Sequence, residues 1–185
     1  MRLHPLPLLL TVSIAAAGGC SQSRGGEIGA AAAPHPPATI ADADALLARG
    51  EYLVRIGGCN DCHTPGYAEQ QGEVDKAQWL TGSSLGYRGP WGTTYAANLR
   101  LLVADMDEAQ WLDYSAKLRT RPIMPDFTLR AMSEGDRRAL FHFVKSLGGA
   151  GTPAPAYLPP DKQPPPPYFD LVLLPAPAAA APAAG

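Results

Sequence analysis

Apolar residues recur at helical spacing in three stretches of the chain. In "ADADALLARGEYLVRIGG", residues 41–58, the apolar positions Ala45, Leu46, Leu47, Tyr52, Leu53 and Ile56 suit one face of an amphipathic helix. Asp42 or Asp44 would cap its start and Gly57-Gly58 would end it. A second helix is predicted from about Asp107 to Leu118, with acids in its first turn and Lys117 and Arg119 at its end. A third runs from about Ser133 to Leu147. Its stripe is Leu140, Phe141, Val144 and Leu147, Ser133 and Asp136 have capping spacing, and Gly148-Gly149 closes it. Residues 64–105 show little periodicity. A loop of that length inside a compact domain wraps something or carries function, and Tyr87, Trp91 and Tyr95 suit packing around a large apolar object. The pattern predicts an all-α domain of three main helices joined by long loops.

The flanks read differently. Residues 21–39 are small, polar and proline-bearing, a flexible tether in which His35 reads as solvated. Eleven of the 20 prolines fall in residues 150–185, which predicts an extended Pro-rich tail with a disordered Pro/Ala end. Tyr157, Tyr168, Phe169 and the run Leu171 to Leu174 are too apolar for a free linker. The first part of the tail is therefore expected to lie against the domain. The resulting division is a leader over residues 1–19, a tether over 20–40, a folded domain over 41–149 and the tail over 150–185.

Charge adds one exclusion. The formal net charge of the 185 residues is −2, without the basic excess a nucleic-acid binder would carry. The three cysteines, Cys20, Cys59 and Cys62, are too few for a disulfide framework or a four-thiolate zinc site. Cys20 follows Arg2, an apolar run from Leu6 to Ala17 too short to span a bilayer, and Gly18-Gly19. This resembles a bacterial lipoprotein signal, although Ala17 stands where leucine is usual. The resemblance implies export, lipidation of Cys20 and a periplasmic domain anchored to the membrane by its N-terminal lipid.

The chemistry is concentrated in "GGCNDCHTPG", residues 57–66. A redox dithiol needs a thioredoxin-like βαβ setting, and no strand is predicted before the pair. A zinc site needs four ligands, and adjacent Cys62 and His63 do not easily reach one tetrahedral metal. C-x-x-C-H is a specific signal for c-type haem attachment. Cys59 and Cys62 at this spacing reach the two vinyl groups of one porphyrin, and His63 is carried beneath the iron. Candidates for the opposite axial position are Met106, Met124, Met132 and His142. Met124 lies between Pro122 and Pro125, about sixty residues after the motif, where the prolines stiffen the strap and hold the side chain inward. Met132 reads as core, Met106 as structural or exposed, and His142 as a packing or surface residue. Met124 is therefore the expected ligand, with an open sixth position as the other possibility.

With that motif after a helix, a distal Met-Pro loop and a last helix, residues 41–148 resemble the class I c-type cytochromes. "GPWGTTYAANLR" and "MPDFTLRAMSEGDRRALFHFVKSL" look like the single-haem domains of bacterial dehydrogenase-linked cytochromes. The resemblance implies a class I cytochrome c-like fold around one covalent haem c (heme c), with Cys59, Cys62, His63 and Met124 binding the cofactor and its iron. It implies that Asn98 and Trp91 or Tyr95 line the haem or bond its propionates. It also implies that the first and last helices cross, Gly50 and Tyr52 meeting the face of Phe141 and Val144. The expected role is one-electron transfer, by a carrier rather than an enzyme or by the cytochrome subunit of a dehydrogenase or respiratory complex, to and from redox proteins such as a dehydrogenase, quinol enzyme or oxidase. Arg119, Arg121 and Arg130 around the Met124 loop would favour an acidic partner. A haem sensor or small-molecule-reacting haem enzyme with an open sixth position is the alternative.

Overall fold

The structure is a computed structural model that describes residues 40–172. The leader, Cys20, nearly all of the tether and the last residues of the tail lie outside the described residues. The three expected helices are present as α1 (Ile40–Ile56), α4 (Glu108–Lys117) and α6 (Glu134–Ser146). Three shorter helices accompany them: α2 (Cys59–His63), α3 (Leu99–Ala104) and α5 (Asp126–Ala131). None of the described helices is long and apolar enough to cross a membrane.

The caps explain the helix starts. Asp107 accepts from the backbone N–H of Gln110 at 2.8 Å while the Gln110 side chain accepts from Asp107 N–H at 2.9 Å, a reciprocal capping box. Ser133 accepts from Asp136 N–H at 3.1 Å and starts α6. Asp42 and Asp44, expected at the start of α1, lie inside it.

The stripes of α1 and α6 make the most extensive helix–helix contact. It is close because Gly50 has no side chain. A Cβ there would press into the Ala139 carbonyl and stand 2.5 Å from Phe143 Cβ. The face that meets Gly50 is thus Ala139 and Phe143 rather than Phe141 and Val144. Tyr52 does not join the crossing: it is half exposed, with the Arg49 guanidinium 5.4 Å from its ring centroid. Leu53, Val54, Trp79, Leu80, Val103, Trp111 and the α6 stripe complete the core. Trp79 comes from the aperiodic segment. It donates its indole N–H to Val74 O at 2.9 Å and packs edge-on to Phe143.

Two cations lock α3 to α6. The buried Arg100 guanidinium donates to Leu147 O, to Gly148 O at 2.5 Å and to Ala77 O at 2.7 Å. In return Lys145 Nζ donates to Val103 O, Ala104 O and Met106 O at 2.7–2.9 Å. Each helix thus supplies the cation that satisfies the orphan carbonyls at the other's C-terminus. Replacing Arg100 by methionine keeps much of the packing volume but strips the donors from three carbonyls. The expected loss is about 3 kcal/mol, read from denaturant unfolding. A loss of less than about 0.5 kcal/mol, the size typical of an ordinary surface change, would contradict this role.

A small sheet departs from the all-α expectation. Strand β1 (Gly86–Gly89) pairs antiparallel with β2 (Gly92–Tyr95) and parallel with β3 (Tyr168–Asp170), in the order β2-β1-β3. Leu158 adds an antiparallel bridge to Thr93. The domain is thus predominantly helical with one three-stranded sheet. Strands of three and four residues rich in glycine carry no readable period of two, and the parallel partner of β1 lies some eighty residues away in the tail.

Three carboxylates tie the outer faces together. Asp136 is held below the usual carboxylate range chiefly by its hydrogen bond to Arg49, Glu108 by Arg138 and then His142, and Glu51 by Lys76 and then Arg55. A depressed folded-state pKa means that the unfolded chain binds more protons in the titration window. These groups therefore contribute stability that is complete above about pH 5 and is lost as pH falls through and below their ordinary range near 4. The melting temperature should fall gently from pH 7 to about 5, because the unfolded chain protonates His63 while the buried ring stays neutral, and more steeply below that, with Asp136→Asn reducing the steeper part.

Candidate functional site

The chain folds Cys59, Cys62, His63 and Met124 around one cavity. Gly58 places the motif. Its backbone is left-handed (φ 66°), a conformation glycine adopts without strain, and it forms the N-cap of α2 directly after α1. One turn of helix then carries both cysteines and His63. The Asn60 and Thr64 side chains anchor that turn from behind. Thr64 donates its hydroxyl to Asn60 Oδ1 at 2.7 Å and accepts from Leu80 N–H at 2.8 Å, all in the interior.

His63 is buried, at 7 % exposure, and its Nδ1 lies 2.7 Å from the Ala97 carbonyl oxygen. A carbonyl only accepts, so Nδ1 carries the proton and donates it. Burial pushes the pKa of His63 down, which keeps the ring neutral. The unprotonated nitrogen is then Nε2, which has no hydrogen-bond partner among the described residues and offers a lone pair to a metal. Burial pushes Cys59 up to about 11, the opposite of the depressed value that makes a thiol reactive. Tyr87 of β1 also lines the cavity. Its phenol is shifted upward by burial first and by its hydrogen bond with Cys62 second.

The loop between α4 and α5, with α5 itself, adds Ile123, Met124, Pro125, Thr128, Leu129 and Met132 to the lining. Asp126 anchors it by accepting from Thr120 N–H at 2.5 Å and from Arg130. Those bonds, the Thr120 N–H first, hold its carboxyl below the usual range. Val54, Leu80, Leu99, Leu140 and Val144 close the interior side. The atom-free space, open mouth included, is about 1180 Å³, and its walls are almost entirely carbon.

The other candidate residues sit elsewhere or act differently. Met132 lines the cavity, its methyl beside Gly57. Met106 packs against the core and does not line the cavity. His142 Nε2 pairs with Glu108 Oε2 at 2.6 Å. Tyr95 lines the cavity, whereas Trp91 and Asn98 do not. Asn98 caps α3 through Leu101 N–H at 3.0 Å and donates its amide to Ala150 O and Thr152 O, so it clamps the chain beyond α6. Of the three arginines near the loop, Arg130 is spent on Asp126 and Leu118 O, and Arg119 and Arg121 are exposed. The Ala97 carbonyl went unread in the sequence, and Tyr87 was read only as one of three aromatics suited to packing around a large apolar object. A main-chain carbonyl has no sequence signal, and Tyr87 had only its place in a run of aromatics.

Among the described residues, no three His, Cys, Asp or Glu side chains converge to hold a metal ion. The described residues alone thus leave a metal at His63 in need of ligands of another kind. A broad flat macrocycle supplies four of its own, and the cavity offers what such a group needs. There is one neutral nitrogen donor, two thioethers, two free thiols and an apolar lining. The residues present fit a covalently held haem. Comparison with known proteins found no matching family model, no matching curated protein and no matching solved structure.

Proposed function

We propose that this chain is an exported, lipid-anchored electron carrier with a class I cytochrome c-like fold, holding one haem c. Cys59 and Cys62 would attach the group through thioethers, and His63 and Met124 would hold its iron. The observation that carries the reading is the convergence of both thiols, the Nδ1-protonated His63 and Met124 on one apolar cavity. The bound group supplies a reversible one-electron couple at iron. The chain does the rest. Ala97 O fixes the His63 tautomer, the buried wall excludes water, and a neutral thioether donor favours the ferrous state. With His63 and Met124 both holding the group, the role would be outer-sphere transfer between redox partners, such as a dehydrogenase or quinol enzyme and an oxidase, rather than catalysis. Cys20 would tether the domain on the periplasmic side.

The test is the visible spectrum of the exported oxidised protein. The weak red band of a methionine–iron bond is expected, and Met124→Ala should abolish it. Its absence from the parent would remove Met124 from the ligand set. One observation favours a second reading: Met124 is 38 % exposed, on a loop open to solvent. A displaceable Met124 would make the protein a haem sensor or a small-molecule-reacting haem enzyme. Rapid, tight binding of carbon monoxide to the reduced parent would favour that reading over a pure carrier.

A further inference from the structure

The chain beyond α6 returns across the sheet and reaches the loop that carries Met124. Leu158 exchanges both backbone hydrogen bonds with Thr93, at 2.8 and 3.0 Å. Tyr157 donates its hydroxyl proton to Trp91 O at 3.0 Å. Gly92 makes this approach possible. A side chain there would press into Leu158 O and stand 2.8 Å from the Tyr157 ring, and its φ of 95° is one that glycine tolerates. Further on, β3 pairs with β1, and Phe169 stacks on the cavity-lining Tyr87 with centroids 5.8 Å apart.

Tyr157 also faces the Met124 loop. The Arg121 guanidinium lies 3.7 Å from its ring centroid, a close cation–π stack. Arg121 stands three residues before Met124. The next residue, Pro122, accepts from Thr94 Oγ1 of β2 at 3.0 Å. The loop's remaining polar ties are internal or to α5: Thr120 to Asp126 and to Met124 O, and Asp126 to Arg130. Ile123, Met124 and Phe127 are all substantially exposed, so little apolar burial fixes the loop. A segment held by few buried contacts opens locally at low cost unless something outside restrains it.

We propose that residues 157–170 form a strap which, through Tyr157 and Arg121, holds the Met124 loop against the cavity and sets how firmly Met124 keeps its ligand position. The inference rests on the haem ligation proposed above. Tyr157 and Arg121 are positioning residues: neither touches the cofactor site itself, and both act through the backbone of residues 121–124. The strap explains why an apolar, proline-rich segment is paired to a sheet beside the site instead of trailing from the domain.

The experiment uses the full-length holoprotein, the four single variants Tyr157→Ala, Tyr157→Phe, Arg121→Gln and Met124→Ala, and the double variant that combines Tyr157→Ala with Met124→Ala. Imidazole is titrated into the oxidised proteins, and amide hydrogen exchange is followed at Thr120, Arg121, Ile123 and Met124. Tyr157→Ala and Arg121→Gln should each raise imidazole affinity about tenfold and speed exchange at those amides, with α1 and α6 unchanged. Tyr157→Phe keeps the ring beneath Arg121 and should stay close to the parent. In a Met124→Ala background, Tyr157→Ala should no longer change imidazole affinity. Parental affinity and exchange in both strap variants would overturn the proposal. So would faster exchange without tighter imidazole binding, or an affinity change that survives the loss of Met124. If the parent carries no haem, the functional reading falls, and the exchange comparison alone decides whether the strap restrains the loop.

Discussion

Exchanging both Cys59 and Cys62 for serine is expected to leave no pigment on the denatured chain and to reduce sharply the yield of folded protein. The first effect is chemical, since a serine hydroxyl forms no thioether with a vinyl group. The second follows from the cavity. Val54, Leu80, Leu140 and Val144 serve both the core and the cavity wall, so the apolar interior is completed only when something fills that space. A group bound by the folded state alone stabilises that state, and a covalent link keeps it there at any dilution. Unfilled apolar space costs stability in proportion to its volume. The single variants should each retain one linkage and an intermediate yield. The comparison is sharp because serine is nearly the size of cysteine. A chain using the pair as a redox dithiol would keep its full melting temperature in the double variant and lose only thiol titre. That outcome would contradict the haem reading.

The second large effect is expected where α1 crosses α6. Gly50→Val puts branched carbon atoms into the Ala139 carbonyl and the Phe143 side chain, contacts that already exclude a single Cβ. The obstacle is helix backbone, so relief requires moving α6. Overpacking of this kind costs about 3 kcal/mol or more. Because α6 also forms part of the cavity wall through Leu140 and Val144, the displacement should reach the site as a changed spectrum of the holoprotein. Gly135 provides the opposite case. It lies in the first turn of α6, where a Cβ would meet only Ser133 Oγ, at an ordinary 3.9 Å. Gly135→Ala should therefore stabilise by roughly 0.5–1 kcal/mol, chiefly by restricting the unfolded chain. Chemical denaturation of both variants checks the pair of signs. Equal shifts in the same direction would contradict the close-crossing account.

How much of this was legible in the sequence depended on how local the cause is. The helices α1, α4 and α6 were readable because their stripes and caps lie within one segment: Asp107 with Gln110, Ser133 with Asp136, the run Leu140 to Val144. The Cys59–His63 motif was readable for the same reason. Trp79 and Leu80 were not, because they enter the core from an aperiodic segment. Leu80 does so with a φ of 61°, which no residue pattern announces. The sheet was missed because β1 finds its second partner in the tail, and Gly86 and Gly89 carry no alternation. Gly50 was legible as a crossing point, but its partners were not. Which turn of α6 fits against Gly50, the one carrying Ala139 and Phe143, is a tertiary matter. Met124 could be singled out from its flanking prolines. What ties its loop down, Thr94 from the sheet and Tyr157 from the tail, lies 28–36 residues away in sequence and has no local signature.

The most direct test of the central claim is made on the exported, full-length protein after denaturation and reduction. The absorption spectrum of the chain is recorded after extraction of any loosely held pigment, and free thiols are titrated on the peptide that contains Cys59 and Cys62. The account predicts a c-type haem spectrum that stays with the chain and no titratable thiol on that peptide. A colourless chain with both thiols free would contradict it.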